Sequence, residues 1–84
     1  MGRGRRTQPK KLRRKLKLIR TRLGVTQQGL VDLLQTHARN EFIDSGYISQ
    51  FESGKREPTL PVLLAYAKVA QVSTDYLIDD RLDL

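Results

Sequence analysis

The stretch SGYISQFESGKREP, residues 45–58, combines side chains that suit the edges of nucleic-acid bases and the phosphates beside them. Gln50 carries a donor and an acceptor, a pair that matches N6 and N7 of adenine in the major groove. Tyr47 offers an apolar ring to a thymine methyl group or a hydroxyl to a phosphate. Lys55 and Arg56 follow as two cations that suit phosphate oxygens. These residue types favour nucleic-acid binding, although Glu52 in their midst is an anion.

Helical periodicity accounts for the first half of the chain. An apolar stripe predicts a first helix over about 9–23, with Pro9 at its start and Gly24 at its end; the stripe is Leu12, Leu16, Ile19 and Leu23. Thr26 can cap a second helix that runs to about residue 37. Its apolar face is Leu30, Leu33, Leu34 and His37. The segment THARNEFID, residues 36–44, lacks periodicity and predicts a loop.

Three more helices are predicted in the second half. Asp44 or Ser45 can cap a third helix that ends at Gly54 and turns Ile48 and Phe51 inward. Thr59 can cap a fourth helix, whose apolar face includes Leu60, Leu63, Leu64 and Ala67. Ser73 can cap a short last helix, with Asp75 near its positive end. Since no strand alternation appears, we expect an all-α fold of five helices.

The positive charge is concentrated at one end of the chain. Of the 84 residues, 16 are Lys or Arg, and eleven of these lie in residues 1–22, which contain no acidic residue; the net charge is +7. Blocks of like charge stay extended until a polyanion screens them. We therefore expect residues 1–8 to form a flexible basic arm and residues 9–84 to form the folded domain. The charge favours nucleic acid over a merely solvated tail.

Several classes of function are disfavoured by composition. The chain has no cysteine and one histidine, so neither a disulfide framework nor a metal site is expected. No apolar run approaches the length of a membrane span. No nucleophile, base and orienting group form an ordered set. We expect a soluble cytoplasmic protein that is not an enzyme and needs no cofactor.

Four blocks in this order resemble the helix-turn-helix domain of phage repressors and Cro proteins, the XRE-like family: IRTRLGVTQ (19–27), GLVDLL (29–34), YISQFESGKREP (47–58) and VSTDYL (72–77). The resemblance implies a five-helix, repressor-like fold. It also implies sequence-specific binding of double-stranded DNA by a small bacterial or phage-type transcriptional regulator, a repressor. Such domains bind two-fold operators as homodimers. The last segment, YLIDDRLDL, would form the dimer surface or cover the domain's own core.

The resemblance also assigns roles to individual residues. It places four residues on the outward side of the third helix as base contacts: Ser45, Gly46, Tyr47 and Gln50. We expect phosphate contacts from Gln27, Gln28, Arg39, Lys55 and Arg56, and from the arm residues Arg3, Arg5 and Arg6. The resemblance also implies an ion pair between Arg20 and Glu52. Residue spacing agrees, because Glu52 shares a helix face with the inward Ile48.

The segment between the second and third helices is longer than the family pattern, and the extra residues fall in QTHARNEFID. Either the second helix is extended or the turn has become a loop that carries Arg39 and Asn40. Tyr47 could pack against such a loop instead of reading DNA. His37 could reach a phosphate or be half-buried.

Two other functions stay open. The acidic C-terminal residues 75–83 suit an antitoxin or adaptor that binds a protein partner and for which DNA is secondary. RNA binding through the arm is the third possibility, which the scarcity of aromatic residues disfavours.

Overall fold

The structure, a computed structural model, describes residues 9–84, and these form five α-helices without a strand. The helices are α1 (Leu12–Leu23), α2 (Gln27–Gln35), α3 (Ser45–Ser53), α4 (Leu60–Ala70) and α5 (Asp75–Ile78). The predicted all-α fold of five helices is confirmed. The predicted arm, residues 1–8, lies outside the described residues. None of the helices in residues 9–84 has the length and apolar character of a membrane-spanning segment.

Local signals in the sequence fix most of the helix ends. Gly24 and Gly54 end α1 and α3 in the left-handed conformation, with φ of 71° and 82°, which glycine adopts without steric cost. The Thr26 hydroxyl accepts a hydrogen bond from the N–H of Gly29 at 3.0 Å. At α3 the cap is Asp44, whose Oδ1 accepts from the N–H of Tyr47 at 2.8 Å. Thr59 caps α4 in the same way.

Two helix starts differ from the predictions. Helix α1 begins at Leu12 instead of residue 9, and the N–H groups of Lys10 and Lys11, just before this start, donate to the carboxylate of Asp80 at 2.9 and 3.0 Å. At α5 the N-cap position is Thr74, although the hydroxyl of Ser73 still accepts from the N–H of Asp75 at 3.2 Å.

The core lies between α1, α2, α3 and α4, and α5 closes one end through the buried Leu77. Its largest buried side chains are Leu12, Leu16, Leu30, Leu34, Ile48, Tyr66 and Leu77. Five residues predicted to lie on apolar faces are exposed instead: Leu23, Leu33, His37, Leu60 and Leu64. Helix α4 buries the predicted Leu63 and Ala67 together with Val62 and Tyr66, so its inward face is rotated from the predicted one toward Val62 and Tyr66.

The extra residues between α2 and α3 form an ordered loop, residues 36–44, and do not extend α2. Ala38 and Ile43 of this loop are buried in the core. The side-chain amide of Gln35 donates to the carbonyl oxygens of Ala38 and Glu41, both at 2.9 Å. Oε1 of Glu41 accepts from the Thr59 hydroxyl at 2.7 Å, which ties the loop to α4. His37 lies beyond the end of α2 and is exposed, so the half-buried alternative was wrong.

The C-terminal segment is fastened to α1 by buried and capping contacts. Lys15 is 4% exposed, and its Nζ donates to the carbonyl oxygens of Tyr76 and Asp79 at 2.6 and 2.9 Å. The hydrogen bonds from the backbone N–H groups of Lys11 and Lys10 lower the pKa of Asp80. Lys15 is therefore not one of the cations available to a polyanion.

We predict that Asp80→Asn lowers the melting temperature at pH 7, because it removes the charge and one of the two oxygens that bind α1. A carboxyl with a lowered pKa stabilises the fold fully above its ordinary pKa, and this stabilisation is lost as the pH falls through the lowered value. The difference in melting temperature between wild type and Asp80→Asn should therefore vanish on acidification. Circular dichroism melts at a series of pH values measure it.

Asp83→Asn is the matched control, because the Asp83 side chain is 84% exposed and its Oδ1 makes only a long contact of 3.5 Å, with Nζ of Lys11. It should change the melting temperature less than Asp80→Asn does. Equal melting of wild type and Asp80→Asn at pH 7 would contradict the capping role.

Candidate nucleic-acid interface

Helix α3 presents a small polar surface to solvent. Ile48 and Phe51 are buried on its inward side. The opposite side exposes Gly46, Ser49 and Ser53. Ser45, Tyr47 and Gln50 are half-buried along its edges. The four predicted base contacts are thus on one accessible region, and Ser49 joins them. Sequence reasoning missed Ser49, although its place between the inward Ile48 and Phe51 signals an outward side chain.

Arg20 and Glu52 form a bidentate ion pair beneath this surface. Nε of Arg20 donates to Oε2 of Glu52 at 2.7 Å, and Nη2 donates to Oε1 at 3.1 Å. The Glu52 side chain is 6% exposed and that of Arg20 is 20% exposed. The hydrogen bonds with Glu52 raise the pKa of Arg20, and burial opposes the shift. Because the carboxylate points inward and is neutralised, Glu52 adds no unpaired negative charge to the exposed side of α3.

The same pair reaches the start of α2. Nη1 of Arg20 donates to the carbonyl oxygen of Val25 at 3.2 Å, in the turn before α2. The side-chain nitrogen Nε2 of Gln27 lies 3.5 Å from Oε1 of Glu52, a long contact. The Arg20–Glu52 pair therefore links the end of α1, the start of α2 and the end of α3.

Helix α1 also holds the end of α3 through Arg13. Its Nη1 donates to the carbonyl oxygen of Ser53 at 3.3 Å. Its stem passes so close to Gly54 that a Cβ there would lie 2.9 Å from Cδ of Arg13. Glycine is required at this position for its left-handed backbone, and the missing side chain also leaves room for Arg13.

Tyr47 lies between a cation and two aromatic rings. The guanidinium carbon of Arg56 is 4.4 Å from the centre of the Tyr47 ring. Phe42 of the 36–44 loop meets Tyr47 edge-on, with ring centres 5.6 Å apart, and Phe51 packs at 6.3 Å. Tyr47 therefore packs against the loop, as one sequence alternative anticipated, while remaining partly accessible. Phe42 is 73% exposed and belongs to this surface; no periodicity in its segment signalled it.

Gln50 is also bound by Arg56. Nε of Arg56 donates to Oε1 of Gln50 at 2.7 Å. The backbone N–H groups of Lys55 and Arg56 donate to the carbonyl oxygen of Gln50 at 2.9 and 3.3 Å. Arg56, expected from the sequence to contact phosphate, thus lies against two expected base readers.

The remaining expected contacts are accessible to different degrees. Gln28, Arg39 and Lys55 are exposed, and Gln27 is half-buried. Arg3, Arg5 and Arg6 lie outside the described residues. Among residues 9–84, no group of histidine, aspartate and glutamate side chains is arranged to hold a metal ion. The arrangement suits hydrogen bonding and charge neutralisation along a groove.

A sequence profile described as helix-turn-helix matches residues 10–77. The chain belongs to the helix-turn-helix family. Helices α2 and α3 are the pair that gives this family its name, and the 36–44 loop replaces the short turn between them.

One solved structure similar to this helix-turn-helix protein is the P22 c2 repressor in complex with synthetic operator 9T in the presence of Tl+. The two are 28% identical, with a TM-score of 0.65, over 88% of this chain and 98% of the other. The fold is therefore repressor-like, as the sequence predicted. No curated protein sequence matches the chain significantly.

We predict that Glu52→Gln destabilises this helix-turn-helix domain by roughly 3 kcal/mol, because it leaves the largely buried Arg20 without its counter-ion. The 20% exposure of Arg20 places the value at the low end of the range for buried pairs. Urea unfolding at pH 7 measures it.

Asp32→Asn is the control, since it removes one negative charge from an exposed position on α2 and should change stability by about 0.5 kcal/mol or less. Similar unfolding of wild type and Glu52→Gln would show that the pair does not hold α3 in place.

Proposed function

We propose that the protein is a small transcriptional regulator of the repressor type that binds double-stranded DNA sequence-specifically, and that it is not an enzyme. The observation that carries the proposal is the similarity, over most of both chains, to a repressor solved with its operator. The polar exposed side of α3 and the neutralised Glu52 support it.

In the proposed complex, α3 enters the major groove with its first turns against base edges. Gln50 and Tyr47 supply hydrogen bonds and an apolar surface, and Ser45 supplies a hydroxyl. Gly46 has no side chain, which allows close approach of the helix backbone. Selectivity between sequences rests on these residues.

Phosphates would be bound around this helix. The first N–H groups of α2, at Gln27 and Gln28, lack helical partners and lie at the positive end of the helix dipole. Lys55 and Arg39 are exposed cations in the loops on either side of α3. The arm residues Arg3, Arg5 and Arg6 complete the proposed set, whereas the guanidinium of Arg56 lies against Gln50 and Tyr47. Such contacts strengthen binding and set its register without selecting a sequence.

We propose that the protein binds a two-fold operator as a homodimer. Helix α5 buries Leu77 in its own domain and leaves Tyr76 and Ile78 exposed, at 40% and 46%. Covering the core and offering an apolar dimer surface are therefore compatible roles for α5.

The alternative of an antitoxin or adaptor loses part of its support. Its argument was the acidic C-terminal segment, but Asp80 caps α1 and Asp79 pairs with Arg81, with Nη2 of Arg81 2.9 Å from Oδ2 of Asp79. These carboxylates are used within the domain, and no other observation favours a protein partner.

Selection from a randomised duplex library at 50 and 200 mM salt tests the proposal. A sequence-reading dimer enriches a two-fold motif at both salt concentrations. A bound pool with no motif, lost at the higher salt, would instead mean non-specific binding to phosphate and would overturn the proposal.

We predict that Gln50→Ala lowers affinity for the selected duplex about tenfold or more, because a good base contact contributes about 1–3 kcal/mol of discrimination. Affinity for an unrelated duplex should hardly change. Titrations of fluorescent duplexes measure both. Equal losses on the two duplexes would exclude Gln50 as a base reader.

We predict that replacing Arg3, Arg5 and Arg6 together by alanine weakens binding to every duplex and leaves the selected motif unchanged. Each lost phosphate contact removes about 0.9 from the slope of log affinity against log salt, so the slope should fall by about 2–3. Titrations at four salt concentrations measure the slope. An unchanged slope would mean that the arm does not contact DNA.

A further inference from the structure

We propose that Arg56 is a positioning residue that turns the side-chain NH2 of Gln50 toward the bases, so that Gln50 prefers guanine, which presents two acceptors in the major groove, to adenine, which presents one acceptor and one donor. This inference rests on the proposed function, since it concerns how the same surface discriminates between sequences. It departs from the sequence-based expectation for both residues, namely a phosphate contact for Arg56 and an adenine contact for Gln50.

The orientation of the Gln50 amide follows from the chemistry of its partner. A guanidinium has N–H donors and no acceptor, so the Gln50 atom facing it must be the oxygen. Nε of Arg56 lies 2.7 Å from Oε1 of Gln50, a short charge-assisted hydrogen bond. The amide end that Arg56 does not hold is Nε2, which only donates.

The guanidinium is itself held in place on a second side. Its carbon lies 4.4 Å from the centre of the Tyr47 ring, and a cation over an aromatic ring is attracted electrostatically. The Tyr47 ring in turn packs against Phe42 and Phe51. The backbone N–H of Arg56 also donates to the carbonyl oxygen of Gln50 at 3.3 Å. Arg56 thus links the two proposed base readers, Tyr47 and Gln50, before any DNA is bound.

This arrangement changes which base Gln50 matches. Pairing with adenine needs Oε1 to accept from N6 while Nε2 donates to N7. Arg56 already occupies one of the two lone pairs of Oε1, so a contact with N6 would have to share this oxygen with a cation. An NH2 group alone matches guanine, whose O6 and N7 both accept, and to a lesser degree thymine through O4. Cytosine presents a donor and is disfavoured. The expected preference at this position is therefore guanine over adenine.

Binding of Arg56 to a phosphate predicts a different response to mutation. A phosphate contact contributes equally to every sequence, so its loss lowers all affinities by the same factor. A positioning contact changes the ratio between bases. The neighbouring Lys55 is also exposed, and Lys55→Ala removes the same charge without touching the Gln50 side chain, which makes it the matched control.

The test uses four duplexes that carry the selected motif and differ in the one base pair at which Gln50→Ala loses discrimination. Affinities of wild type, Arg56→Ala and Lys55→Ala are measured for all four. We expect wild type to prefer guanine over adenine. Arg56→Ala should lower that ratio about tenfold, since freeing Oε1 restores the match to adenine. Lys55→Ala should weaken all four alike and keep the ratio.

Two results would overturn the inference while leaving sequence-specific binding intact: a wild-type preference for adenine at this position, or a ratio that Arg56→Ala leaves unchanged. A wild-type protein that enriches no motif would instead overturn the proposed function itself. The DNA-free protein gives an independent reading by NMR. The side-chain amide resonances of Gln50 should shift in Arg56→Ala and stay in place in Lys55→Ala, and unchanged resonances in both would show that the Arg56–Gln50 hydrogen bond does not form.

Discussion

The ion pair between Arg20 and Glu52 is the constraint on which the placement of α2 and α3 relative to α1 depends. Glu52 is a carboxylate in the helix that is proposed to meet the anionic DNA. Arg20, in the last turn of α1, neutralises its charge. Because the same guanidinium also binds the turn before α2, the positions of α2 and α3 are set relative to one support. The exposed side of α3 is thereby left polar and free of unpaired negative charge.

Two further groups of contacts extend this support in opposite directions. Lys15 and Asp80 fasten the C-terminal segment to the start of α1. The carboxylate of Asp80 is thereby used within the domain, and Lys15 is removed from the surface. On the other side, the 36–44 loop brings Phe42 against Tyr47, and Arg56 covers Tyr47 and binds Gln50. The lengthened loop therefore supports the proposed reading surface and does not merely lengthen the connection between α2 and α3.

The sequence predicted most of what local chemistry determines. Thr26, Asp44 and Thr59 cap helices through their own side chains, and Gly24 and Gly54 end helices, so each signal is read within four residues. Contacts between distant residues were missed. Asp80 caps the start of α1 from 70 residues away, and nothing near residue 9 signals it. Leu60 is apolar yet 67% exposed, because the face that α4 buries is decided by packing. The position of Arg56 beside Tyr47 and Gln50 likewise depends on how the chain turns back after α3, which the residue types alone do not specify.

An NMR titration of the labelled protein with a selected duplex tests the central claim most directly, namely that α3, supported by the Arg20–Glu52 pair, reads the DNA. The account predicts that the largest shifts of backbone amides occur at residues 45–50 and at the start of α2, while the Nε–H resonance of Arg20 remains in place. Shifts confined to residues 1–22, with α3 unperturbed, would contradict it and would leave only electrostatic attachment through the basic end of the chain.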